Sequence, residues 1–260
     1  MTGYVTAADG CRIAYRLDGP AGAPVLVLSN SLGTRWDMWA PQVPDLVHAF
    51  RVLRYDSRGH GRSDAPDGDY ALDRLGTDVL DLLDALGLER VRFAGLSMGG
   101  MVGLWLAIRA PHRLERLALC NTAASLGPPE AWQARIDLVR AEGMASVADH
   151  VLARWFTPAF RSAWPGLVAN ARAMLLDTSP AGYAGCCAAI RDMDQRPGLP
   201  GIRLPTLVVG GSEDPATPPD RSVELAACIP GARLEMLPAA HLSNIEQAGR
   251  FTTALMEFMA

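Results

Sequence analysis

Short apolar runs bounded by turn residues recur along the 260-residue chain, at Val25–Leu28, Arg51–Tyr55, Val91–Ala94, Leu117–Cys120, Thr206–Val209 and Arg233–Leu237. Runs of this length predict strands buried on both faces of a parallel sheet. Ahead of them, Thr2–Ala8 and Arg12–Leu17 flank Asp9-Gly10, which predicts an amino-terminal β-hairpin. Helix-period segments stand between several of the runs. In Leu72–Leu86 the apolar Leu75, Val79, Leu82, Leu83 and Leu86 share one stripe, with Asp78, Asp81 and Asp84 largely off it. Strand alternating with helix predicts an α/β fold with a mostly parallel central sheet flanked by helices.

The alternation breaks between about Leu126 and Pro200, a helix-like stretch with no convincing strand. It carries Trp132, Trp155, Phe156, Phe160, Trp164 and Tyr183, and is flanked by Gly127-Pro128-Pro129 and Arg196-Pro197-Gly198-Leu199-Pro200. We read residues 127–200 as a helical lid inserted into a core made of residues 1–126 and 201–260.

Composition narrows the function. A net charge of −4 offers no basic footprint for nucleic acid or an anionic membrane. All 24 basic residues are arginine, so Schiff-base chemistry and a Walker lysine are absent. Five cysteines with one adjacent pair, Cys186-Cys187, make no disulfide framework and fit a reducing cytoplasm. The first ten residues do not read as a signal peptide, and no apolar stretch approaches the roughly 20 residues of a spanning helix. With no H-E-x-x-H, no Cys-x-x-Cys and no acidic Ca²⁺ loop, neither a metal nor a cofactor is expected.

The sharpest chemical signal is Gly95-Leu96-Ser97-Met98-Gly99-Gly100, which follows one predicted strand and opens the apolar helix Met101–Ile108. A nucleophile elbow needs this context, a tight strand-to-helix turn that lifts the serine hydroxyl above the sheet. The glycine order is not that of a dinucleotide fingerprint. A serine at this position, in place of an aspartate, argues against a dehalogenase or an epoxide hydrolase.

A serine hydroxyl needs an adjacent base. Behind such an elbow the base comes last in the chain, and His241 stands between the last strand and the closing helix. His60, in an early turn, reads as structural support; His48, His112 and His150 read as surface or packing residues. The acid that orients the imidazole has two possible positions, each after a strand. The first holds the uncharged Asn121; the second holds Asp214, with Glu213 as its only near rival. Ser97, Asp214 and His241 are the expected triad. Two backbone N–H groups are expected to form the oxyanion hole, those of Met98 and of Leu32 in Ser29-Asn30-Ser31-Leu32-Gly33-Thr34.

Taken together, these segments resemble the α/β-hydrolase superfamily over nearly the whole chain, and within it the 3-oxoadipate enol-lactonases of bacterial aromatic catabolism. The likeness lies in Leu28–Thr34, where other members carry His-Gly, and in Leu53–Gly61, Gly95–Met101 and Cys186–Asp194. It continues in Asp214–Pro219 and Ala240–Gln247. The resemblance implies an α/β-hydrolase fold and a small lactone or ester substrate that carries a carboxylate. For that carboxylate Arg191 is the first expected partner and Arg135 the second, with Trp132 and Trp155 as pocket walls. A general carboxylesterase or perhydrolase-like enzyme on the same triad is the alternative, followed by a small-molecule receptor of this fold. Oligomeric state is not legible.

Overall fold

The apolar runs pair into one eight-stranded sheet in a computed structural model that describes all 260 residues, Met1–Ala260. The strands are β1 (Thr2–Thr6), β2 (Arg12–Asp18), β3 (Val25–Ser29), β4 (Arg51–Tyr55), β5 (Val91–Leu96), β6 (Leu114–Cys120), β7 (Thr206–Gly211) and β8 (Arg233–Leu237). Their order across the sheet is β1-β2-β4-β3-β5-β6-β7-β8. β1 and β2 form the antiparallel hairpin, β2 joins β4 antiparallel, and every other pairing is parallel. β6 begins three residues before its apolar run. Glu115 and Arg116 lie at the solvated end of the ladder, where Arg92 of β5 bonds Glu115 at 3.2 Å, so hydrophobicity alone understates the strand.

Val27 of β3 aligns with Leu53 on one side and Phe93 on the other, all fully buried. From β3 the chain turns to β4 on one side and from β5 to β6 on the other, which opens a crevice at the carboxyl ends of β3 and β5.

α1 (Val43–Leu46) is a short turn before β4, α2 (Leu72–Ala85) buries Leu75, Val79, Leu82 and Leu83 as its periodicity predicts, and α3 (Met98–Arg109) follows β5. Asp78, although off the apolar stripe, is also buried, because Arg58 forks its carboxylate at 2.6 and 2.7 Å. Between β6 and β7 stand five α-helices, a closing 3-10 turn at Arg196–Gly201 and no strand: α4 (Pro129–Glu142), α5 (Ala145–Trp155), α6 (Pro158–Ala163), α7 (Pro165–Leu176) and α8 (Pro180–Asp192). Within this group α4 packs along α8. After β7 come α9 (Pro219–Cys228), α10 (Ser243–Glu246) and α11 (Ala248–Met259). No helix is long and apolar enough to cross a membrane. All five cysteines are free, and only Cys228 is exposed.

Candidate active site

Ser97 links β5 to α3 with φ 57° and ψ −117°, a left-handed backbone that costs a non-glycine residue about 1–3 kcal/mol. Neighbouring contacts hold the turn. The Ser97 N–H donates to Cys120 O at 2.9 Å, and Thr122 Oγ1 donates to Ser97 O at 2.7 Å. A Cβ on Gly95 would lie 2.1 Å from Gly99 O, and one on Gly99 would lie 2.2 Å from Ser29 O. The flanking glycines are therefore needed for backbone to approach backbone.

His241 occupies the loop after β8, and its Nδ1 lies 2.8 Å from Asp214 Oδ2. A carboxylate oxygen only accepts, so Nδ1 carries the hydrogen. Both residues are buried. Asp214 Oδ1 accepts from the amides of Ala216 (2.7 Å) and Thr217 (3.0 Å), and Oδ2 also accepts from Thr217 Oγ1 (2.7 Å) and Asn121 Nδ2 (3.0 Å). Burial works to raise the Asp214 pKa, but the His241 charge and these hydrogen bonds hold the carboxyl below its ordinary range. Glu213 is exposed and makes none of these contacts. The His241 loop is tied down by Leu242 N–H to Trp155 O (3.0 Å) and Ala240 N–H to Glu246 Oε2 (3.1 Å).

Ser97 and His241 line one cavity, together with Leu32, between the strand ends and the helices of residues 129–192. The Gly33 N–H donates to His60 Nε2 and the Gly99 N–H to Asn30 O, both at 2.9 Å. The amides of Leu32 and Met98, next to these two, have no internal acceptor. Two such donors flanking Ser97 are what a developing oxyanion requires.

The expected substrate contacts divide. Trp132, Arg135 and Trp155 line the cavity. Arg191 does not: its guanidinium turns outward to Asp192 (2.7 Å), Asp69 (3.1 Å) and Gln133. Two carboxylates and an amide already satisfy it, which corrects its assignment as first partner of a substrate anion.

Arg154 is the residue that sequence reasoning missed. It lines the cavity from α5, one turn beyond Val151 and beside Trp155, so an arginine interrupting an apolar i, i+3, i+4 stripe was the available signal. Neither Arg135 nor Arg154 has a carboxylate partner. Arg135 stacks 4.8 Å over the Trp132 ring, and Arg154 donates to Pro215 O at 2.8 Å. Burial and then the charge of Arg135 lower the Arg154 pKa, as expected for two cations sharing an apolar-lined space. No cluster of three or more His, Cys, Asp or Glu side chains is arranged to hold a metal ion. The arrangement can supply a nucleophile, a base with its orienting acid, two oxyanion donors and an anion subsite.

Comparison with known proteins shows the family of the chain. Residues 24–248 match the family model described as the alpha/beta hydrolase fold. The chain is 42% identical to 3-oxoadipate enol-lactonase 2 of Acinetobacter baylyi, across 97% of this chain and 94% of that protein. Among solved structures it is similar to the enol-lactonase of Burkholderia xenovorans, with a TM-score of 0.97 and 49% identity over 98% of this chain and 99% of that one. A thermophilic esterase of Thermogutta terrifontis, solved with malate bound, is 31% identical with a TM-score of 0.92, over 99% of this chain and 97% of its own.

Proposed function

We propose that this chain, which belongs to the α/β-hydrolase family, opens 3-oxoadipate enol-lactone to 3-oxoadipate with Ser97 as nucleophile, His241 as base and Asp214 as its orienting acid. The observation that carries the substrate class is the pair Arg135 and Arg154, unpartnered by carboxylate and lining the same cavity as Ser97 and His241. An anionic lactone supplies the missing charge. Relatives named as enol-lactonases match the chain along nearly its whole length and support the same substrate.

In this reading Ser97 Oγ attacks the lactone carbonyl while His241 Nε2 accepts its proton. The tetrahedral oxyanion is held by the Leu32 and Met98 amides. Collapse breaks the ring C–O bond and releases an enolate that stays tethered in the acyl-enzyme. That enolate takes up, at carbon, the proton His241 received from Ser97, which gives the ketone, prevents reclosure and leaves Nε2 free to act as base again. Water, losing a proton to His241, then attacks the ester, and the departing Ser97 oxygen takes the proton back. The arginines bind the free carboxylate throughout, and Trp132 and Trp155 wall the pocket. Residues 127–200 serve as the lid over a core of residues 1–126 and 201–260. The free buried thiols support a cytoplasmic location.

Steady-state hydrolysis of the enol-lactone beside p-nitrophenyl acetate, with wild type and Ser97→Ala, tests the proposal. Strong lactone turnover and weak ester turnover, both lost in the variant, are expected. An inert lactone with good ester turnover identifies a general esterase instead.

A further inference from the structure

His60 is buried in the loop after β4, and both ring nitrogens are committed. Nε2 accepts the Gly33 N–H at 2.9 Å, and Nδ1 lies 3.2 Å from Arg58 O. An amide only donates and a carbonyl only accepts, so the ring is the neutral tautomer with hydrogen on Nδ1.

The peptide it grips is next to the oxyanion donor. The Leu32 N–H shares a peptide plane with Ser31 O, which accepts from Thr34 Oγ1 at 2.7 Å. The following plane, Leu32 C=O with Gly33 N–H, is held by His60. Both planes flanking the Leu32 α-carbon are therefore fixed, and Gly33 takes φ 77° to allow it. His60 is itself wedged. Arg58 is forked by Asp78, and Gly59 packs so closely on Gly182 of α8 that a Cβ on either would fall 2.2–2.4 Å from backbone of the other.

We propose that His60 is a positioning residue for the reaction: through the Gly33 amide it sets the direction of the Leu32 N–H, and α8 fixes His60 in turn. The proposal rests on the reading of Leu32 and Met98 as oxyanion donors, not on the identity of the substrate.

The test compares His60→Gln, whose carbonyl can reach the Nε2 position, with His60→Asn, whose carbonyl reaches only as far as Nδ1, and His60→Leu. Each is read on the enol-lactone and on p-nitrophenyl acetate, since an oxyanion hole serves both. Failure of the lactone as a wild-type substrate then overturns the lactonase reading and leaves this one to be decided on the ester. Asn and Leu variants are expected to lose kcat by about 10- to 100-fold with KM changed by no more than about threefold, and Gln to recover most of the loss. Affinity for an alkyl trifluoromethyl ketone, whose Ser97 adduct carries the oxyanion, is expected to fall in parallel with kcat. Folded Asn or Leu variants with wild-type kcat, a loss confined to KM, or a Gln variant no better than Asn overturns the proposal.

Discussion

Asn121 Nδ2 donates to Asp214 Oδ2 at 3.0 Å, the same oxygen that accepts from His241 Nδ1 at 2.8 Å. Asn121 fills the alternative acid position after β6 with a neutral amide. Its own Oδ1 accepts from Ser243 Oγ at 2.5 Å, so the amide is held in one orientation, and its backbone takes φ 43° to reach there.

Replacing that amide by a carboxyl in Asn121→Asp sets two acids about 3 Å apart, and like charges so close do not both ionise at ordinary pH. The acid limb of the kcat profile is expected to move upward by about one pH unit or more. Asn121→Ser, which adds no charge, is expected to lower kcat with the limb unmoved. A pH–rate profile of both variants decides it.

Arg135→Ala and Arg154→Ala are each expected to raise KM for the enol-lactone by about 10- to 100-fold, as for loss of a charged hydrogen bond worth about 1.5–3 kcal/mol. Turnover of p-nitrophenyl acetate, which has no carboxylate, is expected to stay near wild type. Arg191→Ala is expected to leave KM for the lactone unchanged, because its guanidinium is bound to Asp69 and Asp192 outside the cavity.

Glu246 joins the His241 loop to the helices above it: Oε2 accepts from the amides of Ala240 (3.1 Å) and Thr157 (3.3 Å), and Oε1 from Thr157 Oγ1. Glu246→Ala strands these donors. An unfolding free energy lower by about 1–3 kcal/mol is expected in denaturant titration, together with a reduced kcat.

Gly182→Ala inserts a Cβ that would lie 2.2 Å from Gly59 Cα, backbone that cannot swing aside. Overpacking of this kind costs about 1–3 kcal/mol. Because Gly59 adjoins His60, lactone kcat is expected to fall as well, whereas Gly249→Ala, with open space around its Cβ, changes neither.

Two buried groups in the loop after β4 have opposite effects on stability. Burial lowers His60 to about 4, and burial raises Asp56 to about 6 although Trp36 and Arg62 donate their amides to it. Between pH 4 and 6 the unfolded chain binds a proton at His60 that the fold does not, so this group's contribution grows with pH. At Asp56 the fold holds a proton that the unfolded chain has lost, so that contribution declines with pH and largely cancels the first. His60→Gln removes the rising part, and the slope of unfolding free energy against pH is expected to drop by about 1.4 kcal/mol per pH unit in that window. Denaturant titrations at pH 4.5, 5 and 5.5 measure it.

The elements and the turn that carries Ser97 were legible because they are local. Short apolar runs bury themselves as strands, a G-x-S-x-G turn between strand and helix has few other uses, and β4, β8 and α2 fall within a residue of where the pattern put them. What pattern could not supply is which side chains meet. Arg191 and Arg154 both lie in the helical stretch between β6 and β7; Arg154 interrupts an apolar stripe and Arg191 precedes Asp192, yet these local cues do not say which of the two faces the cavity. The packing of α4 along α8 and the carboxylates of Asp69 and Asp192 turn one outward, while the α5 stripe turns the other inward. Asp78 likewise reads as a solvated helix charge until Arg58, twenty positions earlier, arrives to bury it. His60 reads as a loop histidine until Gly33, 27 positions earlier, donates its amide. Periodicity and turn chemistry depend on neighbours a few residues apart, so sequence settles them. Charge pairing and peptide orientation depend on groups brought together from distant segments, and only folding does that.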